Sequence, residues 1–150
     1  MSLRKKKQTI APSKLPVILV CGGRNYDNRY QFINTLHKII DDEGWTTPKD
    51  KYGNYLPAVR IVCGGAPGAD AMAIDFAIVN WTDFKEYKAD WAKHGKAAGP
   101  IRNREMFDTE KPDLVLAFPG GKGTADMVAY AKSKGARVIE VTDEEDLAPM

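Results

Sequence analysis

The chain is poor in the residues that hold metals or staple small folds, with two cysteines and two histidines among 150 residues. Two cysteines without clustered histidines cannot complete a zinc site. No metal is expected, and no cofactor either. Cys21 and Cys63 each precede a Gly-Gly pair at the end of an apolar run, where small buried thiols are the expected reading. A disulfide between them would be unusual in a cytosolic chain. No apolar run approaches the roughly 20 residues that span a bilayer, and the first residues lack the apolar core of a signal peptide. Nothing marks the chain for export, so the cytoplasm is its expected compartment.

An excess of one charge is also missing, since 22 basic and 20 acidic residues leave a net +2. The balance is uneven along the chain. Residues 1–14 carry Arg4, Lys5, Lys6, Lys7 and Lys14 and no acid, a local +5 that leaves −3 for the remainder. A basic tail can touch nucleic acid, but no aromatic residue interleaves with this one and no nucleic-acid-binding motif follows. The tail reads as a disordered solubilising leader, and nucleic acid is not expected as a partner. Residues 15–150 read as one globular domain, with a composition of 43% hydrophobic and 28% charged residues that is ordinary for the class.

What the chain does have is a repeated design. Val17 to Cys21, Val59 to Cys63 and Leu114 to Phe118 are short apolar runs that stop at glycine clusters and restart as helices. Such runs read as buried parallel strands. A weaker strand at about Phe84 to Ala89 carries lysines suited to a sheet edge, and Val138 to Val141 is a fifth. Helices are expected after Asn28, after Gly68, after Pro100 and from about Thr124 to Lys134. The alternation predicts a Rossmann-like, doubly wound α/β/α fold of about five parallel strands in the order 3-2-1-4-5. Residues 45–57 are long for a connection and stay open between an insertion, a small hairpin around Gly53-Asn54 and a lid.

In that sheet three loops share the carboxyl edge: Gly22-Gly23-Arg24, Gly64 to Asp70, and Gly120 to Asp126. None has the spacing of G-x-G-x-x-G with a following acid, or of a Walker loop. Backbone N–H groups at a helix start favour a phosphate. The candidate ligand-binding residues are Gly22, Gly23, Arg24, Gly64, Gly65, Gly68, Asp70, Arg102, Arg104, Gly120, Gly121, Gly123, Thr124 and Asp126. Arg102 and Arg104 lie two apart on a helix and cannot share a face; Arg102 is favoured. Asp70 and Asp126, each placed in a first helical turn, could accept bonds from ribose hydroxyls or simply cap their helices.

These segments, together with Ala89-Asp90-Trp91 and Ala98-Gly99-Pro100-Ile101-Arg102-Asn103-Arg104-Glu105-Met106, resemble the YspA-like branch of the SLOG superfamily. The resemblance spans about residues 16–141 and implies binding of nucleotides or nucleotide-derived ligands. The related LOG phosphoribohydrolases end their Pro-Gly-Gly-x-Gly-Thr-x-x-Glu pattern in a catalytic carboxylate. Met127 stands at that position here, while Arg102 matches the LOG arginine. The binding half is similar and the catalytic half altered. The expected function is capture of a nucleotide-like small molecule, as a sensor or binding protein. The alternative is hydrolysis of a nucleotide N-glycosidic bond, with Asp126, Glu105 or Asp70 as the acid/base group. LOG-like relatives pair through helices, so a homodimer is expected by analogy.

Overall fold

Strands buried on both faces must be apolar throughout, and helices packed on them need only one apolar stripe. The computed structural model describes residues 14–142, so all of the basic leader except Lys14 lies outside the described residues. β1 (Val17–Cys21), β2 (Arg60–Gly64), β3 (Asp83–Tyr87), β4 (Leu114–Ala117) and β5 (Val138–Glu140) form one sheet in the order β3-β2-β1-β4-β5. All four pairings are parallel. This is the expected Rossmann-like order, with β1 and β4 side by side and Cys21 opposite Ala117.

The pleat divides the core. Ile18 and Val20 of β1 face one side, packing with Phe32, Leu36 and Ile40 of α1 (Arg29–Glu43) and with Ala73 and Phe76 of α2 (Ala69–Asn80). Leu19 and Cys21 face the other, against Met106 and Phe107 of α4 (Ala98–Glu110) and Met127, Val128 and Ala131 of α5 (Lys122–Ser133). A single turn, α3 (Trp91–His94), and a short 3₁₀ turn (Gly95–Ala97) lead into α4. Helices therefore change face between β1 and β4, which makes the gap above those two strands the switch point where such sheets bind ligands.

Local signals account for most boundaries. Asn28 caps α1 by accepting from the Gln31 N–H at 3.0 Å, and Gly44 ends it at φ 74°. α2 is apolar almost all round, yet Ile78 and Val79 are 60% and 73% exposed. The buried residues are Ala69, Asp70, Met72, Ala73, Phe76 and Ala77, a face at helical spacing. β3 is an edge strand, as its lysines suggest.

Residues 45–57 form an irregular hairpin. Thr46 bridges Pro57, the Thr47 N–H donates to Leu56 O at 2.8 Å, and Asp50 Oδ1 accepts from the Tyr52 and Asn54 N–H groups at 2.8 and 2.9 Å. The segment joins the end of α1 to the start of β2 and so sits at the amino edge of the sheet, opposite the glycine loops. A lid over those loops is excluded by this placement. Among the described residues no helix is long and apolar enough to cross a membrane.

Candidate functional site

The three glycine loops are knitted together by one residue. The Gly23 N–H donates to Pro119 O at 2.9 Å, and Gly23 O accepts from the N–H groups of Tyr26 and Ala69 at 3.1 and 3.3 Å. A Cβ at Gly68, where φ is 80°, would strike Arg24 backbone atoms at 2.8 Å, and one at Gly120 would lie 2.6 Å from the Gly23 nitrogen. Gly68 and Gly120 thus serve the packing of loop on loop. Gly22 does the same, since its Cβ would meet that of Ala69 at 2.6 Å. Gly65 lies under the Glu86 and Lys88 side chains of the β3 edge.

Above these loops opens a cleft of about 510 Å³. It is lined by Gly22, Gly23, Arg24, Gly64, Asp70, Arg102, Gly121, Gly123, Thr124 and Asp126 from the candidate set. Gly65, Gly68, Arg104, Gly120 and Glu105 do not line it. Glu105 is exposed on α4. Its place on the helix points it away from the cleft, which Arg102, Asn103 and Met106 of the same helix line.

The helices that directly follow β1, β2 and β4 differ at their starts. The start of α1 is capped by Asn28. At the start of α2 the Ala69 N–H is taken by Gly23 O, and Asp70 sits in the first turn. α5 has Gly121 at its N-cap, with no side-chain cap and no acid in its first turn. A Cβ at Gly121 or Gly123 would meet nothing within 4 Å. Among the described residues no side chain or loop carbonyl takes the N–H groups of Lys122, Gly123 and Thr124, which line the cleft with the positive end of the helix dipole behind them.

Arg102 is half-buried and held from below: Nη1 donates to Tyr87 O at 3.1 Å and Nε to Asn103 Oδ1 at 3.0 Å. Asn103, which is buried, also donates to Gly123 O at 3.2 Å and to Asp126 Oδ2 at 3.1 Å, tying α4 to the first turns of α5. Nη2 of Arg102 makes no hydrogen bond among the described residues. A Cβ at Gly64 would lie 2.7 Å from Arg102 Cζ and 2.9 Å from Asp70 Oδ2, so glycine there leaves room for both side chains over the end of β2.

The three carboxylates diverge. Asp70 is 5% exposed, and burial pushes its carboxyl up to about 6 against the pull of the Ala66 N–H and of Arg102. For Asp126, burial pushes upward, but bonds from Arg104 at 3.0 Å and from Asn103 outweigh it and hold the carboxyl below its ordinary value. Its expected place in a first helical turn is corrected: α5 starts at Lys122, so Asp126 falls in the second turn and pairs with α4. Arg104 is spent on that pair and on the Tyr130 ring, 4.7 Å away. Met127 is fully buried in the core, so nothing of its side chain reaches the cleft.

Several lining residues escaped the sequence reading: Asn103, Trp91, Lys96, Lys122 and Ala66. Three lie in segments already conspicuous for their glycines and arginines, but only the fold shows which neighbours turn inward.

No protein-family model matches the chain. It is 34% identical over 137 residues to the Gene 61 protein of Mycobacterium phage D29, an alignment that spans 85% of this chain and 97% of the phage protein. The chain belongs to the family of that Gene 61 protein. Among solved structures it is similar to DNA processing protein A (DprA) from Streptococcus pneumoniae, at 18% identity and a TM-score of 0.42, with 93% of this chain covered. The chain spans 63% of the length of that protein. The exclusion of nucleic acid as a partner is corrected by this comparison, since one protein similar to this chain is described as processing DNA. It rested only on missing motifs, and neither similarity names a small-molecule ligand.

Proposed function

We propose that the cleft binds the phosphate of a nucleotide or nucleotide-derived ligand and that the protein acts as a sensor or ligand-binding protein. The open start of α5 beside Arg102 carries this reading. Arg24, Lys96 and Lys122 add charge around the same cleft and make no ion pair among the described residues. The volume, about 510 Å³, suits a ligand of nucleotide size. The five ordered motifs shared with the YspA-like branch of the SLOG superfamily support the same class of ligand.

The loop offers neutral donors, whereas Arg102 offers a full charge. A charge-assisted hydrogen bond is worth roughly 1.5–3 kcal/mol, so Arg102→Ala should weaken a nucleoside 5′-monophosphate by about 10- to 150-fold. The matching nucleoside should scarcely respond. Gly121→Val should weaken both without harming the fold, because its side chain would project into open space. Titration calorimetry decides: equal loss of both ligands in Arg102→Ala, or of neither, would make Arg102 structural. A 5′-phosphorylated oligonucleotide and its unphosphorylated form, titrated alongside, tell a nucleotide unit in a strand from a free one.

One observation favours hydrolysis as the second reading. Asp70 lines the cleft with a carboxyl raised to about 6, suited to moving a proton near neutrality. Release of free base from a nucleoside 5′-monophosphate, followed by chromatography, tests it.

A further inference from the structure

We infer that Trp91 is a stacking platform for the base of the bound nucleotide, an assignment that rests on the phosphate-binding reading above. Several large apolar side chains stand exposed on this protein, among them Tyr30, Tyr52, Ile78, Val79 and Trp81. Among the described residues, Trp91 alone of the exposed large hydrophobics lines the cleft, at 60% exposure. Its ring makes no aromatic or cation contact among the described residues, and it lines the same cleft as Gly121, Lys122, Gly123 and Thr124.

The chain holds that indole in place on a short, stiff support. Asp90 Oδ1 accepts from the Lys93 N–H at 3.1 Å and caps the single turn of α3. Gly95, at φ 56°, stops the turn directly afterwards. The six-membered ring rests over buried Gly99, whose Cβ, if present, would lie 3.5 Å from Trp91 Cη2. The indole is thus fixed on the α3–α4 side of the cleft, while the open N–H groups come from the α5 side. A molecule with a flat apolar ring at one end and a phosphate at the other satisfies both sides. A base stacks on tryptophan without regard to its hydrogen-bonding edge, which fits a cleft whose remaining lining is mostly glycine and cationic side chains.

Titration calorimetry with adenosine 5′-monophosphate and with ribose 5-phosphate tests this on wild type, Trp91→Ala and Trp91→Phe. Trp91→Ala should weaken adenosine 5′-monophosphate by about 5- to 150-fold and leave ribose 5-phosphate within twofold. Trp91→Phe should restore most of the affinity. Equal loss of both probes, or of neither, would overturn the stacking role while leaving the phosphate site standing. So would a wild type that binds both probes equally well. A wild type that binds neither probe would remove the phosphate reading and this one with it.

Discussion

Asp70 keeps a carboxyl at about 6 only because the fold buries it, and that has a thermodynamic consequence. Its folded value lies above the unfolded one of 3.8. Between those values the native state holds a proton that the unfolded chain has lost, so stability falls as pH rises from about 4 through about 6 and is level above. Asp70→Asn removes the titration while its amide oxygen can still accept from Ala66. The variant should gain on the wild type by about 1 kcal/mol between pH 5 and pH 7, read from urea midpoints at both values. A constant difference across that range would show that Asp70 does not titrate in it. At the same scale, the loop glycines were legible as a group and not one by one. The sequence announces close approach, but whether the approaching atoms belong to a ligand or to another loop depends on contacts such as Gly23 to Pro119, which are distant along the chain.

Among the elements, α4 links the cleft to the opposite edge of the sheet. Tyr87 O receives Arg102 near the start of α4, while the Tyr87 hydroxyl donates to Glu110 Oε2 at 2.5 Å near its end. Arg60 completes the clamp with bonds to Glu110 at 2.9 and 3.1 Å and to Asp83 at 2.6 Å. The Arg60 bonds, aided by Tyr87, hold the Glu110 carboxyl below its ordinary value. Stability from this clamp is therefore present above the ordinary glutamate range and is lost as pH falls below it. Glu110→Ala leaves a half-buried guanidinium with one partner and should cost about 2 kcal/mol, measured by denaturant unfolding at pH 7. A loss below about 0.5 kcal/mol would reduce the clamp to an ordinary surface pair. None of this was visible in the sequence, because Arg60, Tyr87 and Glu110 meet only once β2, β3 and α4 are packed. The order of the sheet, by contrast, was legible: alternating apolar runs and helix patterns admit few right-handed arrangements. The start of α5 was misplaced by two residues because Lys122 and Gly123 do not announce a helix, and that shift moved Asp126 from the first turn to the second.

For the molecule as a whole, the sheet separates a working edge from a structural one. Arg24, Lys96, Arg102 and Lys122 converge on the carboxyl edge against Asp70 and Asp126 there, so the cleft carries an excess of positive charge. The hairpin of residues 45–57 sits on the other edge, with its backbone bonds already made, from Thr47 to Leu56 at 2.8 Å and from Asp50 to Asn54 at 2.8 Å. It has no route to the cleft that does not pass through the sheet. Amide hydrogen exchange should therefore show residues 120–124 gaining protection when adenosine 5′-monophosphate is added, while residues 47–58 keep the same rates. The amides of Thr47 and Asp50 should be protected in the free protein. If exchange in 47–58 slows on adding the nucleotide and the loop at 120–124 does not respond, the ligand binds at the amino edge, and the division between the two edges is reversed.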